Sequence, residues 1–237
     1  QNKDGNTAIM LAAQNTTRIV IKYLCNTFKD QNNDINVQNE DGNTAFILAA
    51  QNTNDDVIKY LCNTFKDQNI DINVQNKAGN TAFMLAAQNT TQLVIKYLCN
   101  TFKDQNIDIN EQNKAGNTAF MLEAQNTTQL VIKYLYYTFK DQNIKINKKN
   151  KDGNTAFMFA AQNTNRLVIE FLYDTFKDQN IDIELQNKAG NTAFILAAQS
   201  SNIDVIKYLY YTFEDQNIEI NRKNKDGNTA IMLAAAQ

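Results

Sequence analysis

Apolar positions along the chain fall into two helical rhythms that alternate. In AFMLAAQ (82–88) apolar and small residues run almost unbroken, which predicts a short helix buried on most sides. Thr81 stands directly before it and supplies an N-cap hydroxyl for a first-turn amide. The two alanines leave room for a close neighbour. In TQLVIKYLCNTFKDQN (91–106) the spacing changes: Leu93, Tyr97 and Thr101 share one face, while Val94, Ile95, Leu98, Cys99 and Phe102 form a broad apolar stripe. That pattern predicts a longer helix packed between layers. Asn89 lies where the chain turns back, and asparagine tolerates the left-handed conformation such a turn requires. After the second helix IDIN alternates, and Lys77-Ala78-Gly79-Asn80 marks a tight turn.

This unit recurs without slip. DGNTAI begins at 4, followed by DGNTAF at 41, AGNTAF at 78 and 115, DGNTAF at 152, AGNTAF at 189 and DGNTAI at 226, a period of 37 residues. A fixed period of this size denotes a solenoid whose units bury their apolar faces only by stacking on one another. The expectation is an all-α fold in one continuous array over residues 1–237, with the seventh unit incomplete. Both ends read as internal repeat without a polar cap, so a window on a longer array is expected.

The unit resembles the ankyrin repeat. The matching residues are Asp41-Gly42, Thr44-Ala45-Phe46-Ile47, Leu48-Ala49-Ala50, Val57-Ile58-Lys59-Tyr60-Leu61 and Asp71-Ile72-Asn73, against a family pattern of DG, TPLH, LAA, a Val/Leu-rich helix and a DVN tail. Tetratricopeptide units are the rival reading, but they lack the DIN tail and the GN turn. The resemblance implies a solenoid of helix-turn-helix units with short hairpin-like turns, elongated and curved, with short helices inside and longer ones outside. Seven layers at roughly 10 Å each give a length of about 60–70 Å. Three departures stand out. The family's Pro and His are replaced by Ala and by Met or Ile, so Thr caps alone. The Gly between the helices is Thr, as at Thr90, which leaves Asn89 as the left-handed residue. Four residues are added within FKDQN, and one extra turn of outer helix, about 6 Å, accommodates them.

Composition narrows the function. Balanced charge, 23 basic and 25 acidic residues, gives no basic face for nucleic acid or a membrane surface. No apolar stretch approaches a membrane span. The 37 Asn and 20 Gln are interleaved with apolar runs rather than clustered, so they do not form a low-complexity tract. Cys25, Cys62 and Cys99 occupy one repeat offset without metal-ligand spacing, and a reduced, cytoplasmic setting follows. The chain has no His, no P-loop and no GxGxxG, so no catalytic, metal or cofactor site is expected. The aromatic columns Phe28, Phe65, Phe102, Phe139, Phe176, Phe213 and Tyr23, Tyr60, Tyr97, Tyr134, Phe171, Tyr208 read as packing ladders stacked unit upon unit.

Two exceptions break the repeat. Tyr137 and Tyr211 replace Asn or Asp at an offset expected to face solvent, and each is a candidate partner anchor. Glu123 stands where the other units carry Ala, in the small-residue seam. It either reaches the groove edge and solvent or takes part in binding, because an unpaired buried carboxylate is costly.

The resemblance also implies a binding surface along the turn tips and the end of the short helix. Carried over unit by unit, its candidates are Lys77, Asn80 and Gln88, then Lys114, Asn117 and Gln125, then Lys151, Asn154 and Gln162. These positions hardly vary, whereas specificity for one irregular partner needs local anchors. Variation concentrates at the outer-helix start, as at Thr17-Arg18-Ile19, Asn54-Asp55-Asp56 and Thr91-Gln92-Leu93, and in the row Val37, Val74, Glu111, Lys148, Leu185, Arg222. The expected function is a non-catalytic interaction scaffold lying along something periodic, such as a cytoskeletal polymer or further copies of itself. The alternative is an adaptor module of a larger protein that binds one protein partner.

Overall fold

The computed structural model describes residues 1–237 except 16–17, 28–33, 53–54, 66–69, 90–91, 103–104, 106, 127, 214–218 and 237. Phe28, Thr17, Asn54, Thr90 and Thr91 therefore lie outside the described residues. The chain forms two compact units, Gln1–Ala115 and Gly116–Gln237. Every element among the described residues is helical, and none is a strand.

In unit 1 the inner helices are α1 (Ala8–Gln14), α3 (Ala45–Gln51) and α5 (Ala82–Gln88), and the outer helices are α2 (Arg18–Thr27), α4 (Asp55–Phe65) and α6 (Gln92–Thr101). Each inner helix packs on its own outer helix, and α3 packs on both α1 and α5. Unit 2 repeats the scheme with inner helices α7 (Ala119–Ala124), α9 (Ala156–Gln162), α11 (Ala193–Gln199) and α13 (Ala230–Ala235), and outer helices α8 (Gln129–Phe139), α10 (Arg166–Phe176) and α12 (Ile203–Thr212). Six- and seven-residue helices do not hold alone in water, so stacking stabilises them. Ala45 through Ala50 are all buried, as are Val57, Ile58 and Leu61 on the facing outer helix. Each large aliphatic chain so buried contributes about 1.5–3 kcal/mol.

Caps fall where the sequence places them. Thr81 accepts from Met84 N–H at 3.2 Å, and Thr7, Thr44, Thr118, Thr155, Thr192 and Thr229 do the same in their repeats. The IDIN alternation also holds as a division of faces, with Ile70, Ile72, Ile107 and Ile109 buried. Its backbone is a turn: Asp71 Oδ1 accepts from Asn73 N–H at 2.9 Å and Asp108 Oδ1 from Asn110 N–H at 2.8 Å.

Three expectations are corrected. Asn89 is not left-handed; its φ is −95°. Its side chain instead donates to the carbonyls of Ala50 and Gln51 in the preceding repeat, both at 3.1 Å, so the residue spans two repeats rather than easing a strained turn. The added residues of FKDQN do not extend the α-helix. In the fourth and fifth repeats they form 3-10 turns at Lys140–Gln142 and Lys177–Gln179, ended by left-handed Asn143 and Asn180 (φ 51° and 52°). The α-helices end at Phe139 and Phe176, both buried, where φ moves to −115° and −118°.

The phenylalanine column, finally, packs on inner-helix rings at Phe102, Phe176 and Phe213. Phe102 meets Phe46 edge-on at 5.7 Å, Phe176 meets Phe120 at 6.0 Å and Phe213 meets Phe157 at 6.3 Å. An inner-helix ring of one repeat thus meets the outer-helix ring of the next. In the tyrosine column two rings are covered by a lysine from the repeat before, with Lys59 Nζ 5.0 Å from the Tyr97 ring centre and Lys133 Nζ 5.7 Å from that of Phe171.

Candidate protein-interaction surface

The turns that carry the candidate residues are built around a pair of asparagines four positions apart. In the turn at 76–80, Asn76 Oδ1 accepts the amides of Ala78 (3.0 Å) and Asn80 (2.9 Å), and Gly79 takes φ 78° to close the loop. Asn76 Nδ2 then donates to Asn43 Oδ1 in the turn before, at 2.9 Å. The same bridge joins Asn39 to Asn6 and Asn113 to Asn80 in unit 1, and Asn150 to Asn117, Asn187 to Asn154 and Asn224 to Asn191 in unit 2. A backbone bond runs alongside: Lys77 N–H donates to Asp41 O at 2.8 Å and Lys114 N–H to Ala78 O at 2.9 Å.

This ladder divides the candidates. Asn80, Asn117 and Asn154 accept the bridge from the following turn, so their side chains serve the fold. Lys77, Lys114 and Lys151 stand exposed at the tips, and Gln88, Gln125 and Gln162 are exposed at or directly after the ends of the inner helices. Where the next tip bond is described, the lysine projects from a backbone already fixed to its neighbour. One tip departs from the row, since Glu40 stands where later repeats carry Lys.

Tyr137 and Tyr211 face solvent as expected, 65% and 70% exposed. Each leans edge-on against its neighbour, Tyr136 at 5.2 Å and Tyr210 at 5.4 Å. Tyr136 in turn touches Phe171 at 5.9 Å and Phe176 at 5.4 Å, so Tyr137 rests on a packed aromatic cluster. Leu130 is exposed on the helix of Tyr137, Ile203 on that of Tyr211, and Leu167 on α10 between them in the chain. Sequence reasoning singled out the outer-helix start as variable without recognising this apolar row. The signal was present as Leu93, Leu130 and Leu167 at one offset.

Glu123 is not at a groove edge. It is fully buried, with Oε2 accepting from Asn126 Nδ2 at 2.9 Å and Oε1 without a partner. Burial pushes its carboxyl up to about 8, and the Asn126 bond offsets only part of that rise. The thiols are core groups: burial raises Cys62 to about 11 and Cys99 to about 12, and Cys25 is raised by the same cause. Among the described residues no group of His, Cys, Asp or Glu is disposed to hold a metal, and no helix is long and apolar enough to cross a membrane. A cavity of about 190 Å³ beside Thr7, Ile9, Met10, Asp34 and Ile35 is smaller than pockets that enclose small molecules.

The repeat geometry has a counterpart among known families. A family model described as ankyrin repeats (3 copies) matches residues 1–74, 27–113, 63–146, 105–183 and 175–237. The chain belongs to the ankyrin-repeat family. No curated protein matches it in sequence. Among solved structures it is similar to the ankyrin repeat domain of Bcl-3, described as a unique member of the IkappaB protein family. That likeness has 18% identity and a TM-score of 0.66 over 98% of this chain and 95% of the other, and it bears on the fold alone. It is also similar to a chain in the complex of the predatory endopeptidase Bd0816 from Bdellovibrio bacteriovorus with the immunity protein Bd3460. Here identity is 28% and the TM-score 0.67, over 87% of this chain and 98% of that chain. Ankyrin repeats generally mediate protein–protein interaction, and the fold is typically a binding scaffold rather than a catalytic one.

Proposed function

We propose that this ankyrin array is a non-catalytic scaffold whose repeats each offer the same chemistry to a periodic protein assembly. A cytoskeletal polymer or a row of further copies of the chain would present such periodicity. The observation that carries this reading is the recurrence of Lys77, Lys114 and Lys151 at the turn tips, with Gln88, Gln125 and Gln162 beside the inner helices, in the same exposed setting. A surface that offers one chemistry per repeat fits a partner that also repeats, whereas an irregular globular partner favours a few unlike anchors. The asparagine ladder supports it by joining successive turns within each compact unit. Three unpaired thiols are compatible with a cytoplasmic setting, which forms part of the same proposal.

Co-sedimentation with actin filaments and with microtubules, set beside binding to their unpolymerised subunits, tests this. The proposal expects binding to one polymer that saturates at a fixed ratio, with weak binding to its free subunit. Equal affinity for subunit and polymer, or no binding to either polymer combined with a monodisperse, non-associating chain, overturns it.

One specific observation favours a second reading, an adaptor for a single protein. Tyr137 and Tyr211 are exposed, aromatic and braced from below, which is how an anchor residue is prepared for a partner pocket. In that case Tyr137→Ala weakens binding strongly while substitutions at the lysine tips do little.

A further inference from the structure

Six of the seven inner helices carry alanine at the seam position, Ala12, Ala49, Ala86, Ala160, Ala197 and Ala234, and the seventh carries Glu123. No other ionisable residue lies in any inner helix. The Glu123 side chain is fully buried, one oxygen is held by Asn126 and the other has no partner. In unit 2 the elements packed on α7 bring no counter-charge. Helix α9 contains no ionisable residue. The one charged residue of α8 is Lys133, whose Nζ lies over the Phe171 ring. The titratable groups of α8 are otherwise Tyr134, Tyr136 and Tyr137, and none of them reaches the unpartnered oxygen.

The helix around this residue is also altered. It ends at Ala124, one residue sooner than α5 and α9, and Asn126 N–H closes on Glu123 O at 2.8 Å. Asn163 of the following repeat donates to Ala124 O at 3.1 Å and to the carbonyl of Asn126. The end of α7 is therefore tied both to the buried carboxyl and to the next repeat.

We propose that Glu123 makes α7 a pH-gated element: loss of its proton opens the first repeat of unit 2 locally, while inner helices with alanine at this position stay closed. A carboxylate with one oxygen unpaired in an apolar seam is strongly disfavoured relative to the same group in water. Opening α7 hydrates it. The closed form retains a proton to about pH 8, whereas an opened, hydrated carboxyl releases it near the ordinary value of 4.5. Between those limits the open fraction rises about tenfold per pH unit, and above them it is constant.

Hydrogen exchange followed peptide by peptide tests this, with protection expressed relative to the intrinsic exchange rate at each pH. In the wild-type chain, protection over 118–126 falls by up to about tenfold per unit from about pH 5 to about pH 8 and then levels. Helices α9 and α11 show no such slope. Glu123→Ala, which restores the residue of the sister repeats, and Glu123→Gln, which keeps a polar group without a charge, both flatten the profile. A wild-type profile without slope, or a slope that survives in both variants, overturns the proposal. Because the readout requires no binding partner, its failure is independent of the scaffold reading.

Discussion

Asn76 reaches from its own turn to Asn43 in the turn before, donating through Nδ2 to Oδ1 at 2.9 Å. Its own Oδ1 accepts two amides of its turn. One side chain thus closes a turn and fastens it to its neighbour. Asn76→Ala leaves the amides of Ala78 and Asn80 without their acceptor and Asn43 without its donor. Urea unfolding is expected to show a loss of about 2–3 kcal/mol. Asn76→Asp keeps the acceptor, and Asn43 can turn its amide to donate, so its loss is smaller. Equal losses for the two variants contradict this account of the bridge.

Gly79 and Gly227 hold the same left-handed conformation, φ 78° and 81°, in different surroundings. A Cβ on Gly79 lies 2.6 Å from the backbone nitrogen of Lys114, whereas one on Gly227 meets nothing within 4 Å. Gly227→Ala carries only the conformational cost, about 1 kcal/mol. Gly79→Ala must also push two turns apart, and its midpoint in denaturant falls further. Comparable midpoints for the two variants refute the close approach of successive turns.

Glu123 makes global stability depend on pH. Its carboxyl is raised to about 8 in the folded chain from an ordinary 4.5, so the folded state binds the proton more tightly than the unfolded one. Its contribution is fully present below about pH 4.5 and is lost as pH rises through about 8. At pH 7 the 2.5 units above the ordinary value correspond to a penalty of ~3 kcal/mol, an order-of-magnitude figure. Glu123→Ala is therefore expected to be the more stable protein at pH 7, with the difference shrinking toward pH 4.5. Thermal melts of both proteins across that range check the sign.

Cys62 and Cys99 are buried thiols raised to about 11 and about 12. In the folded chain at pH 8 they are expected to resist a thiol reagent and to react fully once denaturant is added. Rapid labelling of both in native buffer contradicts their placement in the core.

The period, the threonine caps, the glycine turns and the buried faces of both helices were legible because each depends on residues close in sequence. The asparagine ladder was not. Asn43 and Asn76 are 33 positions apart and meet only when turns stack, so in sequence Asn80, Asn117 and Asn154 read as candidates for binding a partner. A usable signal lay in the turns, where an Asn pair four apart recurs at 39 and 43, 76 and 80, and 113 and 117. Glu123 shows the other limit. Its offset in the seam was plain, but whether a glutamate bends out to water or stays inside is decided by packing around α7. The end of the outer helix is not legible in FKDQN, because the helical spacing of Phe139 and Phe176 continues the apolar stripe while the backbone departs from the helix just after them.

The central claim is that binding is spread evenly along the repeats, and a substitution series on the polymer tests it most directly. Lys77→Ala, Lys114→Ala and Lys151→Ala are titrated singly and together against the filament that the wild-type chain binds. The account predicts similar single losses, each up to about 1 kcal/mol for an exposed charge, that add in the triple variant because each lysine stands on its own turn. One lysine carrying nearly all of the loss, or a triple variant that binds like the wild type, contradicts it.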